Sequence, residues 1–157
     1  MTDRDATLRR ILSESRRIAV VGLSAEWHRP SHFVAKYLQQ HGYEVLPVNP
    51  RYAGESVLGL RCHASLDQID GPIDLADGFR RSADVLPIAR DAVRLGAKGL
   101  WQQIGVANAE ADALVRAAGL DSVMDRCTKI EHARLFGGLH WVGVDTGIVS
   151  ARRRPAP

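Results

Sequence analysis

Five short segments of this 157-residue chain carry residues able to do chemistry. The first runs Gly22-Leu-Ser24-Ala25-Glu26-Trp27-His28-Arg29-Pro30-Ser31. Its glycine permits a tight turn, Ser24 offers a hydroxyl, and the Arg29 guanidinium could clamp a phosphate oxygen. Pro30-Ser31 has the composition of a helix start, where unpaired backbone N–H groups attract anions. The second, Asn49-Pro50-Arg51, presents a guanidinium suited to a phosphate such as that on a ribose. The third, Phe79-Arg80-Arg81-Ser82, adds two arginines, with Ser82 as the expected cap of the next helix. The fourth, Trp101-Gln102-Gln103, sets an indole and two amides near Gly105. The fifth is Asp125-Arg126-Cys127. Each has an ordinary structural reading as well: Ser31 as a simple cap, Pro50 as a strand stop with Arg51 in solvent.

Nucleophilic and metal chemistry are weaker readings. Cys127 could pair with Glu131 or His132, but residues five apart on a helix lie about 500° around, on poorly matched faces. No third orienting group is evident. The histidines, His28, His32, His41, His63, His132 and His140, lack metal-ligand spacing, and the two cysteines, Cys62 and Cys127, are too few for a disulfide framework. No metal site is expected.

The elements that must position these segments alternate. Residues 3–15 place Leu8, Ile11 and Leu12 on one helical face. The apolar run Arg17–Leu23 reads as a strand buried on both faces. A helix from Pro30-Ser31 carries Phe33, Val34, Tyr37 and Leu38 and closes at Gly42. Further strands are expected at 43–48, 73–77, 98–101 and 120–124, and helices at 82–95 and 107–118. Residues 51–71 read as loop, with a short strand at 57–60 and a short helix after Ser65. Strands alternating with helices imply right-handed crossovers and an α/β, Rossmann-like, doubly wound parallel sheet in three layers. In such a sheet ligands bind beyond the carboxyl ends of the strands, where all five segments fall. Polar or basic groups on four of those five loops are more than a bland scaffold requires. Residues 139–152 break the rhythm and read as a β hairpin or two edge strands, able to extend the sheet or to pair two subunits as a homodimer.

Composition limits the partners. The net charge is +3, the hydrophobic fraction 45 %, and the longest apolar runs fall far short of a membrane span. The N-terminal residues carry acids and no apolar core, so no signal peptide is expected. A basic excess attracts phosphates of any kind, but aromatics are only 6 % and do not interleave with the arginines, which disfavours nucleic acid. The expectation is a cytoplasmic protein with reduced thiols, one domain over residues 1–150 and a basic flexible tail at 151–157. Its ligand is expected to be a small phosphorylated molecule.

A dinucleotide fits poorly. Ser24 stands where a G-x-G-x-x-G loop has its second glycine, and Asn49-Pro50-Arg51 stands where a carboxylate would hold ribose hydroxyls.

Several motifs in combination resemble a known family. They are Ile18-Ala-Val-Val-Gly-Leu-Ser24, Arg29-Pro-Ser31, Val45-Leu-Pro-Val-Asn-Pro50, Phe79-Arg-Arg-Ser82, Gly96-Ala-Lys98 with Trp101-Gln-Gln103, and Met124-Asp-Arg-Cys127 with Lys129-Ile-Glu-His132. Over residues 5–150 the chain is similar to the stand-alone CoA-binding proteins, themselves similar to the N-terminal CoA-binding domain of the succinyl-CoA synthetase α subunit. The resemblance implies coenzyme A, or an acyl-CoA, as ligand. It matches Gly22, Ser24 and Ala25-Glu26-Trp27 to the diphosphate loop, and Asn49, Pro50 and Arg51 to the adenosine end. Phe79-Arg80 and Trp101-Gln102-Gln103 match loops lining the rest. The synthetase loop is richer in glycine and threonine than this one, which carries Glu26, Trp27, His28 and Arg29. The synthetase also needs a phosphorylated histidine on a second domain and a β subunit, for which this chain is too short. The implied role is non-catalytic: a sensor, carrier or regulator. The alternative is a small NAD(P)- or nucleotide-dependent enzyme working at the same sheet edge.

Overall fold

The computed structural model describes residues 2–137, so the expected C-terminal hairpin and basic tail lie outside the described residues. In chain order come α1 (Asp3–Glu14), β1 (Arg17–Val21), α2 (Pro30–Gln40), β2 (Glu44–Val48), β3 (Ser56–Val57), β4 (Leu60–Arg61) and β5 (Leu75–Gly78). Then follow α3 (Val85–Arg94), β6 (Gly99–Gln102), α4 (Ala109–Ala117), β7 (Asp121–Val123) and α5 (Thr128–Phe136). Five strands form one parallel sheet in the order β2-β1-β5-β6-β7.

Strand alternation divides the core in two. Ile18, Val20, Val45, Leu75 and Trp101 pack under α1, α2 and α5, whereas Ala19, Val21, Leu46, Ala76 and Leu100 pack under α3 and α4. Helices on both faces explain why the strands read as unbroken apolar runs rather than alternating ones. Truncating a wholly buried anchor such as Leu38 or Leu100 costs about 2–5 kcal/mol. The doubly wound, three-layer sandwich predicted from the sequence is therefore the fold.

Local differences have local causes. The stretch expected as one strand at 57–60 is an antiparallel ribbon, β3 with β4, turned by Leu58 and Gly59 at φ +54° and +74°. Two consecutive positive φ values make the tight turn that suits a two-residue hairpin. Ser82 does not cap a long helix. It opens a one-turn 3-10 segment, Ser82–Asp84, before α3 begins at Val85. Its hydroxyl instead accepts from Ala107 N (3.0 Å), and its carbonyl accepts from Asn108 Nδ2 (2.8 Å). Those bonds tie the loop after β5 to the loop after β6.

Candidate functional site

The chain leaves β1 for the edge strand β2 and returns to β5 on the other side of β1, so the loops beyond β1 and β5 part and leave a crevice. Gly22 opens it. Its N–H donates to Val48 O (2.7 Å), its φ is +91°, and a Cβ there would lie 2.8 Å from Phe79 O. Both conformation and space exclude a side chain.

The loop beyond Gly22 is laced by its own hydroxyls. Ser24 N donates to Ser31 Oγ (2.9 Å), and Glu26 N donates to Ser24 Oγ (3.0 Å). Ser31 is thus spent on the loop rather than on capping its helix. The N-cap residue of α2, Arg29, contributes no side-chain acceptor, whereas Thr2 caps α1 and Asn108 caps α4. Pro30 has no N–H and the amides of His32 (3.0 Å) and Phe33 (3.4 Å) donate to Arg29 O, so among the described residues this uncapped turn leaves the Ser31 amide for an anion. Asn49, buried, bridges the ends of β1 and β2: its Nδ2 donates to Leu23 O (3.0 Å) and its Oδ1 accepts from Arg51 N (3.0 Å).

These loops enclose a cavity of about 710 Å³. Gly22, Ser24, Glu26, Arg29, Ser31, Asn49, Arg51, Phe79, Arg80 and Gln103, all predicted site residues, line it together. Its lining combines four arginines, Arg29, Arg51, Arg80 and Arg81, with the apolar side chains of Phe33, Val34, Ile104, Val106 and Ile130. Arg29 donates to Glu26 (3.0 Å), which holds that carboxyl below its ordinary value. Arg51 and Arg80 make no ion pair among the described residues.

The remaining predicted residues sit elsewhere. Trp101 is 0 % exposed, and its indole N–H donates to Arg126 O (2.7 Å). Gln102, also fully buried, accepts from Asn108 N and donates to Asn108 O. Pro50 starts a 3-10 turn and lines a separate depression of about 280 Å³. Ala25 and Trp27 lie outside the cavity, with Trp27 79 % exposed. Sequence reasoning did not select Phe33, Tyr52, Ile104, Val106 or Ile130. An isoleucine in the polar loop Gln103-Ile104-Gly105 was the available signal, and it is 65 % exposed.

Below the cavity lies a buried polar cluster. Asp77 is 0 % exposed and accepts hydrogen bonds from Gln103 Nε2 and from Thr128 Oγ1 (3.0 Å). Gln103 Nε2 also donates to Thr128 Oγ1 (2.9 Å), while its Oε1 has no partner among the described residues. A buried acceptor left so costs about 1–3 kcal/mol. Burial pushes Asp77 up to about 7, against the opposing hydrogen bonds.

Cys127 lines the cavity at the start of α5, but burial pushes its thiol up despite backbone bonds from Ile130 and Lys129. A raised thiol disfavours the reactive thiolate. His132 is hydrogen-bonded to Tyr37 Oη (2.8 Å). The buried ion network Arg126–Glu131–Arg134–Asp5 anchors α5, and with it this wall of the cavity.

Fold and cavity define an open α/β unit with a cationic and apolar crevice at its switch point. Residues 16–133 match the family described as the CoA binding domain, and the chain belongs to that family. It is 42 % identical over 128 residues to the uncharacterized protein YneT of Bacillus subtilis (strain 168), covering 82 % of this chain and 93 % of that one. A hypothetical protein from Pyrococcus horikoshii OT3 superposes with a TM-score of 0.82 at 39 % identity, over 87 % of this chain and 94 % of that chain. The dinucleotide-forming acetyl-coenzyme A synthetase 1 of Ca. Korarchaeum cryptofilum shares the fold over 73 % of this chain and 26 % of its own, with a TM-score of 0.61 and 22 % identity. The synthetase likeness read from the sequence therefore holds at the level of fold. Among the described residues no helix is long and apolar enough to cross a membrane.

Proposed function

We propose that the chain binds coenzyme A or an acyl-CoA in this cavity and acts as a cytoplasmic sensor, carrier or regulator rather than as an enzyme. The observation that carries the reading is a single cavity lined by four arginines together with several apolar side chains. CoA combines the same two characters: a diphosphate and a ribose phosphate at one end, an uncharged thiol arm at the other. The diphosphate is assigned to Gly22, Ser24 and the uncapped start of α2, the adenosine end to Arg51 and Tyr52. The arm lies along Gln103, Ile104 and Ile130. The non-catalytic role is supported by the raised Cys127 thiol and the engaged His132.

Thermal unfolding with CoA, acetyl-CoA, NAD and ATP, one at a time, tests it. A ligand at 100 times its Kd adds about 2.7 kcal/mol. For a chain of this size that raises Tm by roughly 5–10 °C. The shift is expected with the CoA species and not with NAD; a shift with NAD alone would overturn the reading.

A further inference from the structure

The strand order β2-β1-β5-β6-β7 sorts what the loops bring to the cavity. Arg51 follows β2, Arg29 follows β1, and Arg80 and Arg81 follow β5. Beyond the last two strands the lining changes character: Gln103, Ile104 and Val106 follow β6, and Cys127 and Ile130 follow β7. Phe33 of α2 belongs to this end too, since Lys129, the neighbour of Ile130, sets its Nζ 5.2 Å from that ring. The charged residues around Ile130 stay out, for Asp125, Arg126, Lys129 and Glu131 do not line the cavity. Apolar side chains scattered singly over a surface mean little, but Phe33 (43 % exposed) and Ile104 (65 %) stand on one cavity. Ile104 is also held in place without a ligand. Gly105 N donates to Asp125 Oδ1 (2.6 Å) and Asp125 N donates to Val106 O (3.1 Å), which pins its turn to the loop beyond β7.

We infer that the cavity takes a CoA thioester of an uncharged aliphatic acyl group, whose chain lies against Phe33 and Ile104 beyond the sulfur. The inference rests on the cavity being the CoA site, with the arm running along Gln103 toward this end. The arm's amides ask for hydrogen bonds, and free CoA ends in a small thiol. Neither calls for two exposed apolar side chains. An acyl chain covers them and leaves water itself, so each methylene adds to affinity. An acyl group ending in a carboxylate would bring its charge to a stretch of lining that offers no cation among the described residues, and taking that charge out of water costs affinity.

Calorimetric titration with CoA, butyryl-CoA, hexanoyl-CoA and succinyl-CoA tests it. Affinity is expected to rise from CoA through butyryl-CoA to hexanoyl-CoA, by about two- to fourfold for each methylene covered. Succinyl-CoA has the four-carbon chain of butyryl-CoA with a carboxylate in place of the methyl, and it should bind no more tightly than CoA. Phe33→Ser and Ile104→Ser are read through the ratio of hexanoyl-CoA to CoA affinity, which cancels any change in how CoA itself is held. Each should lower that ratio by about two- to fourfold, and the double variant should bring it close to one. Both side chains are exposed, so Tm should stay near that of the wild type. Equal affinity for CoA and hexanoyl-CoA, tighter binding of succinyl-CoA than of butyryl-CoA, or a ratio unchanged in both single variants overturns the inference. Failure of the CoA reading looks different: none of the four ligands, CoA included, then binds.

Discussion

The two edges of the sheet use charge in opposite ways. At the amino ends of the strands Arg10, Arg17, Asp74 and Asp121 are each matched. Arg17 pairs with Glu44 and donates to Pro72 O (2.6 Å) and Asp70 O (2.8 Å). Asp74 accepts from the amides of Arg16 (2.8 Å) and Arg17 (2.9 Å) and faces Lys98 (3.3 Å). Burial raises Asp74, but those partners outweigh it and hold the carboxyl below its ordinary value. Arg10 meets Asp121 at 2.6 Å. At the carboxyl ends, among the described residues, Arg51 and Arg80 stand without ion pairs, α2 starts without a side-chain cap, and Gln103 keeps a buried oxygen unpartnered. Matched charge holds a fold together; unmatched charge gathered around a cavity is held for a ligand.

Substitutions can break that contrast. The largest effect belongs to the amino edge: Asp74→Ala strands two backbone amides, and denaturant unfolding should show a loss of about 1–3 kcal/mol for each. CoA affinity in that variant should stay unchanged, and a fall in affinity would mean that the edges are not independent. The smallest effect sharpens the carboxyl side. Glu26 is the carboxylate lining the cavity, where it occupies Arg29. Glu26→Gln should tighten CoA binding modestly while leaving Tm in place, and weaker binding would show that Glu26 contacts ligand instead of competing with it.

How far the sequence discloses this contrast depends on register. Apolar runs ending in glycine, such as Ile18–Gly22, disclose the strands, because burial on both faces leaves little room for polar residues. They do not disclose strand order, which depends on long-range pairing. Trp101 and Gln102 show what a small error does: with the strand ended at 101 they become loop residues at the ligand edge. In the structure β6 runs through Gln102, and alternation drives one side chain into each face of the core. Gln103 is the first residue beyond the strand, and it alone of the three lines the cavity. The basic part of the lining was legible because arginines in the loops stand out from the apolar runs of the strands before them. The apolar part was not, since Phe33 and Ile130 lie on helices where apolar spacing reads as core.

The central claim is that Arg51 and Arg80 are idle in the fold and needed by the ligand. The most direct measurement is Tm together with CoA affinity for Arg51→Ala, Arg80→Ala and the double variant. Each single change should weaken CoA by about 1–3 kcal/mol, as for a charged hydrogen bond. The double should weaken it further, with stability within about 0.5 kcal/mol of wild type. Unchanged CoA affinity in the double variant, or a large fall in Tm, would contradict the account.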